Sequence, residues 1–327
     1  MRHFTLMLLL LAALLLLLAR LPAQLLQQTV LRVITPLPAP AGSCPNLPPS
    51  PNYYIDGSEQ TAITAINHAR DSEGLPALSL PANYWQLTPS QQQFTLVNLE
   101  RTSRGLAPLR WDASLAEIAT AYSQQMVQLH FFSHISPISG DFPTRLNANP
   151  QVAGHYTSIA ENIAGNWAPA AGAIYEYLYH DASEQCTHRQ NILNPAFTLI
   201  GIGVVAGGPW SMMSAQELLA SNPTNPFQSA SPDSTPPSIS IISSLNQTQD
   251  LLHVVAHASA NGSLATLIWF LDGIGHLSHK GTDWTIAAAQ VTPGHHLLIV
   301  YAVDTSQRYA TATLTFTVGK QGITRQS

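Results

Sequence analysis

The chain of 327 residues is poor in charge: Asp, Glu, Lys and Arg make up 9% of it, against 45% hydrophobic residues. Solubility must therefore rest on Ser, Thr, Asn, Gln and His. No run of Lys and Arg occurs, and a net charge of −5 argues against a nucleic-acid partner. Cysteine is scarce as well. Cys44 and Cys186 are the two present; they exclude anything more elaborate than one disulfide, and two unpaired thiols are the alternative. GxSxG, HExxH and CxxC spacings are missing, which removes the familiar signatures of a serine hydrolase, a zinc protease and a dithiol site. Histidine is what the chain has instead. Its 13 imidazoles equal Lys plus Arg, so protonation below about pH 6 carries the formal charge from −5 towards +8.

The length suits two domains plus linkers. Met1-Arg2-His3 precedes a Leu/Ala run from Phe4 to Ala19, shorter than the roughly 20 residues that span a bilayer. Residues 1–23 are expected to be a signal peptide cleaved after Ala23, or a membrane anchor, since Leu21 is a poor residue at the −3 position. Residues 24–52 form a Pro-rich linker, and 53–87 an N-terminal helical extension in which Ser58 caps a helix ending near Gly74, with Ile63 and Ile66 on one face. A first globular domain follows over 88–220. Thr88-Pro89 starts its first helix, which closes at Gly105. Asp112 caps the next, where Leu115, Ile118, Ala119, Tyr122, Met126 and Leu129 keep helical spacing and belong to a core. A helix over about 170–180, a helical turn at His188 stopped by Pro195, and strands over 198–205 and 210–216 complete it. After a linker at 221–236, short strands at regular intervals over 237–319 read as a β-sandwich, with 320–327 as a tail. The fold class is α+β followed by an all-β unit.

Three short blocks carry the chemistry. His134 lies just past the core helix and before Pro137, Glu161 sits alone among Ala and Ile in Ser158–Ala164, and His188 opens His188-Arg189-Gln190-Asn191. An ionised carboxylate in such surroundings is costly unless paired, hydrogen-bonded or bound to a cation. The three are expected to converge on one pocket. Two neutral imidazoles and a carboxylate suit Zn²⁺ or a similar divalent ion with positions left open; a metal-free hydrogen-bonded cluster is the alternative. Ser133 beside His134 is too common a pairing to count as a nucleophile and base. In the second domain, Asp272 and Asp304 read as turn caps rather than calcium ligands, and His295-His296 start a strand exposed on one side.

Asn98-Leu99-Glu100-Arg101, Leu109-Arg110-Trp111-Asp112, Phe132-Ser133-His134, Ala160-Glu161-Asn162-Ile163-Ala164, His188-Arg189-Gln190-Asn191-Ile192-Leu193 and Gly201-Ile202-Gly203-Val204 occur in that order. Together they resemble the CAP superfamily, also called the SCP or cysteine-rich secretory, antigen 5 and pathogenesis-related-1 domain, in its bacterial secreted form, over about Ser90 to Leu218. The resemblance implies a three-layer α/β/α sandwich around a mainly antiparallel sheet. It also implies a cleft holding two histidines, His134 and His188, and two acids, of which Glu161 is the first. Asp181 is ranked ahead of Glu176 and Glu184 as the second. Some relatives bind metal in the cleft, and eukaryotic relatives are associated with sterol or lipid. The partner implied is an extracellular small-molecule, lipid or cell-surface ligand, with Tyr175, Tyr177, Tyr179 and Trp167 as aromatic surface near the cleft. Metal-assisted hydrolysis through His134, Glu161 and His188 is the alternative chemistry. Trp269-Phe270-Leu271-Asp272-Gly273 and Pro293-Gly294-His295-His296-Leu297 resemble bacterial immunoglobulin-like domains. The whole reads as a secreted or membrane-tethered two-domain protein.

Overall fold

The computed structural model describes residues 44–226, 235–248, 250–261, 263–274, 277–320 and 322–325. The 1–23 segment and most of the 24–52 linker lie outside them. Among the described residues no helix is long and apolar enough to cross a membrane.

Three helices begin where side chains satisfy backbone N–H groups that have no helical acceptor. Ser58 accepts from Thr61 N ahead of α1 (Glu59–Ser72), Thr88 and Gln91 form a capping box ahead of α2 (Pro89–Ser103), and Asp112 accepts from Leu115 N ahead of α3 (Ala113–Gln128). A two-residue strand, β1 (Arg110–Trp111), separates α2 from α3. Asp141 caps α4 (Phe142–Ala148), a helix of seven residues that helical periodicity does not reveal. Then come β2 (Tyr156–Gly165), α5 (Ala171–Tyr179), α6 (Thr187–Ile192), β3 (Leu199–Ala206) and β4 (Met212–Ser221).

The strands form one sheet in the order β1-β3-β4-β2, parallel only between β1 and β3. Alternation along each strand sends successive side chains to opposite faces. Leu199 and Leu219 pack against Leu115 and Ile118 of α3 and Phe142 and Leu146 of α4; Ile200, Ile202 and Leu218 pack against α1, α2, α5 and α6. Helices thus cover both faces, giving three layers. Gly201 and Gly203 set how closely α3 lies on β3, because a Cβ at either would meet the backbone nitrogen of Ala116 or Thr120 at 2.1 Å.

Residues 53–87, expected as an N-terminal helical extension, pack into the first domain. Tyr53, Ala62, Ile63, Ile66 and Tyr84 share a single core with α5 and β3, since the apolar stripe of α1 packs on α5. The linker's end is likewise fixed, by a disulfide between Cys44 and Cys186 and by Leu47 N donating to Tyr179 O at 2.9 Å. Much of the scarce charge is inside: Arg70 meets Glu100 at 2.7 Å with both side chains buried, and Arg104 reaches Glu73 at 2.6 Å. Buried ions of this kind need partners.

The C-terminal unit is a two-sheet sandwich. β5 (Ser238–Asn246), β6 (Leu251–Ser259) and β9 (Asp283–Ala287) form one sheet; β7 (Leu264–Leu271), β8 (Leu277–Lys280), β10 (Gly294–Asp304), β11 (Tyr309–Gly319) and β12 (Gly322–Arg325) form the other. Leu252, Val254 and Ile286 face Trp269, Val300 and Phe316 across the interior. The expected tail at 320–327 is corrected in part: Gly322–Arg325 pairs antiparallel with β11, because Ile323 is buried in the sandwich core.

Candidate functional site

The site grows from Arg145, a fully buried cation on α4. Its guanidinium lies 3.5 Å above the Tyr122 ring of α3, a stacked cation–π contact. It donates to the carbonyl oxygens of His134 at 3.1 Å and Gly140 at 2.8 Å, and pairs with Glu161 Oε2 on β2. The other oxygen, Glu161 Oε1, accepts from His134 Nδ1 at 2.7 Å. That bond fixes the tautomer and presents Nε2 to a ligand. Glu161 is buried, whereas the His134 side chain is 52% exposed.

A second pair is built the same way from other elements. Asp181 Oδ1 accepts from His188 Nδ1 at 2.7 Å and Oδ2 from Arg189 N at 2.9 Å. Tyr177 packs its ring 5.0 Å from the imidazole. Arg189 reaches Glu73, the residue that ends α1, at 2.9 Å, so the end of α1 bears on the position of α6. Asn162 fastens the same helix to β2 by donating to His188 O at 3.4 Å and accepting from Asn191 Nδ2 at 2.8 Å.

Glu161 and Asn162 are neighbours on β2 and therefore point to opposite faces. β2 is an edge strand. The two imidazole–carboxylate pairs flank that edge, and the Tyr177 hydroxyl is raised above its usual range by burial, with the charges of Glu161 and Asp181 both acting in the same direction.

Of the set expected to hold a divalent ion, His134 pairs with Glu161 while His188 pairs with Asp181. Both Glu161 oxygens are engaged, and among the described residues no three His, Cys, Asp or Glu side chains stand close enough to share a metal. The positive charge that Glu161 requires comes from Arg145. Of the remaining acids, Glu176 meets the hydroxyls of Tyr53 and Tyr54 and stands 3.2 Å from His180, and Glu184 is exposed in a loop. Ser133 Oγ accepts from Ile135 N at 3.1 Å, which makes it a turn residue. In the sandwich, Asp272 accepts from Leu297 N at 3.0 Å and from His296 Nδ1 at 2.7 Å, and Asp304 caps the turn to Arg308. His295 is exposed and His296 buried.

The aromatic surface also differs from expectation. Tyr175, Tyr177 and Tyr179 are buried, because α5 is enclosed by α1, α2 and the sheet. Beside His134 the exposed rings are Phe132 and Trp210, with centroids 5.1 Å apart. Gly165 makes room for Trp210, since a Cβ there would sit 2.3 Å from the indole. Trp167 is half-exposed, and Ile135 extends the apolar rim.

Two residues that sequence reasoning passed over complete the interior. Arg145 is one. The other is Glu217 on β4, the register partner of Glu161 and fully buried, with no hydrogen-bond donor among the described residues reaching either oxygen. Burial holds its carboxyl well above the usual range, and Glu161 adds to the effect while Arg145 opposes it. A neutral Glu217 carries a proton that it can donate to Glu161, which answers the apparent lack of a partner. Alternation from Leu219 through Glu217 to Ala215 is the signal that placed this acid facing inward.

Residues 94–217 match the model of the cysteine-rich secretory protein family, CAP. Two proteins of Bacillus subtilis (strain 168) align with the chain: an uncharacterized membrane protein, YlbC, at 34% identity over 30% of this chain and 26% of its own length, and an uncharacterized protein, YkwD, at 35% identity over 32% of this chain and 37% of its own. The chain thus spans well under half of either relative. Among solved structures, an extracellular protein containing a SCP domain from Bacillus anthracis str. Ames is 29% identical over 43% of this chain and 44% of that one, with a TM-score of 0.34.

Proposed function

We propose, from the premise that residues 94–217 are a CAP domain, that this chain is a recognition protein working outside the cell rather than an enzyme. The observation that carries the reading is the engagement of both acids. Glu161 and Asp181 each use one oxygen on an imidazole and the other on a fixed donor. A carboxylate so held orients its histidine, and Glu161 does so from a buried position. No hydroxyl or thiol among the described residues hydrogen-bonds to either imidazole, and Arg145 already supplies Glu161 with a positive charge. The disulfide between Cys44 and Cys186 supports an oxidising, extracytoplasmic setting.

The ligand class favoured is amphipathic. Phe132, Trp210 and Ile135 offer an apolar rim, and His134 Nε2 offers a polar contact beside it. An occupant with an apolar body and a polar end satisfies both. Titration of the purified chain with laurate, followed by Trp fluorescence and calorimetry, tests this. Trp210→Ala and His134→Ala should each weaken binding about tenfold, equivalent to ~1.4 kcal/mol, while casein remains uncleaved with and without added zinc. Binding that ignores Trp210→Ala, or zinc-dependent turnover lost in His134→Ala, overturns the reading.

A further inference from the structure

We infer that the C-terminal sandwich is a positioning element for the His134 dyad, clamping the loop that carries it, and not a spacer. The first sign is in two strands. An ordinary sandwich strand buries one face, yet β7 is apolar without interruption through Ile268-Trp269-Phe270-Leu271, the pattern of a strand covered on both sides. Trp269 and Leu271 face the sandwich interior. Ile268 and Phe270, with Tyr301 and Val303 of β10, face outward and enclose Ile138, which is 2% exposed. Ile138 is four residues beyond His134.

Polar contacts fix the same loop. Gln307, in the turn between β10 and β11, has a left-handed backbone at φ 70° and is 1% exposed. Its Nε2 donates to Arg145 O at 3.2 Å, and its carbonyl oxygen accepts from Gln125 Nε2 of α3 at 2.7 Å. Gln125 Oε1 in turn accepts from Ser136 Oγ at 2.7 Å and Ser139 Oγ at 2.9 Å. Ser136 and Gly140 exchange two backbone bonds across the loop, at 2.9 and 3.1 Å. The Arg145 guanidinium then binds the Gly140 and His134 carbonyls from the other side. One connected path therefore runs from the sandwich turn to the residue that pairs with Glu161. Tyr309 OH donates to Gln128 at 2.6 Å and Arg308 meets Glu117 at 2.8 Å, extending the seam along α3. Among the described residues the supports of the His188 dyad come instead from Glu73, Asn162 and the Cys44 disulfide.

The inference concerns geometry and does not rest on the ligand reading, so its test needs no ligand. In the full chain, Gln307→Leu keeps the packing but removes the donor to Arg145 O, and Tyr301→Ala opens the pocket around Ile138 from the sandwich side. Hydrogen exchange of amides 134–140 should accelerate at least tenfold in both. The His134 imidazole resonances should move, while those of His188 and amides 187–192 stay in place. Unchanged exchange in the loop overturns the inference. So does an equal change at both dyads in a variant that still folds, which would mark general loosening; a variant that does not fold is set aside. Tyr301→Ala is then read alone if Gln307→Leu fails, or the reverse.

Discussion

Replacing Glu217 by Gln should stabilise this protein at neutral pH, and by an amount that grows with pH. The side chain is fully buried opposite Glu161, and its carboxyl is held well above the ordinary value of 4.5 by burial and by the Glu161 charge. Below pH 4.5 both folded and unfolded chains carry the proton, and Glu217 makes its full contribution. Above it the unfolded chain releases the proton and the folded chain keeps it, so stability falls as pH rises, by ~1.4 kcal/mol per pH unit, until the folded carboxyl ionises. Gln has nearly the same shape, still offers an N–H towards Glu161, and has no proton to lose. Urea unfolding of both proteins at intervals from pH 4 to 8, with the difference taken at each pH, cancels the slopes of all other groups. The difference should be small near pH 4 and rise in favour of Glu217→Gln through pH 5 and 6. Parallel curves, or a variant that loses ground as pH rises, would refute the assignment of a protonated acid at this position.

Two further outcomes follow from the same interior. Arg145→Met leaves Glu161 buried without its cation and should cost about 3–5 kcal/mol in urea unfolding, with a large part restored by adding Glu161→Gln; no restoration would mean that Arg145 acts through its bonds to the His134 and Gly140 carbonyls instead. Cys44→Ser with Cys186→Ser opens a link between residues 142 apart and should lower stability by up to about 5 kcal/mol, read as an earlier thermal midpoint; a midpoint equal to that of the bridged protein would contradict the loop-closure argument.

The helices with capping residues were legible because the signal is local: Ser58, Thr88 and Asp112 each stand one residue before a helix that bonds to them. The glycine-spaced strand β3 and the sandwich strands were legible from their alternation. α4 was not, since seven residues hold too little periodicity, and with it went Arg145. The acids show the limit most clearly. The cost of burying Glu161 was evident from its neighbours, but the identity of its partner depends on a chain reversal at Gly140 that brings α4 under β2. Asp181 beside His188 is a short-range pairing, seven residues apart, at the place where the sequence departs from the family pattern and offers three acids, Glu176, Asp181 and Glu184. Glu217 stands one residue past the strand read over 210–216, whereas β4 runs Met212–Ser221, so the alternation that turns it inward is not in that reading. Likewise the unbroken apolar run in β7 was visible as a strand, while its second buried face requires knowing that Ile138 covers it.

The central claim is that Glu161 and Asp181 each hold one imidazole through its Nδ1, His134 and His188 respectively. Long-range ¹H–¹⁵N correlation of the imidazoles at neutral pH, with and without added zinc, reads this directly. Both rings should appear as the Nδ1–H tautomer, and Glu161→Gln and Asp181→Asn should each alter only its own histidine. An Nε2–H tautomer at either ring, or one carboxyl substitution that shifts both histidines together, would contradict it.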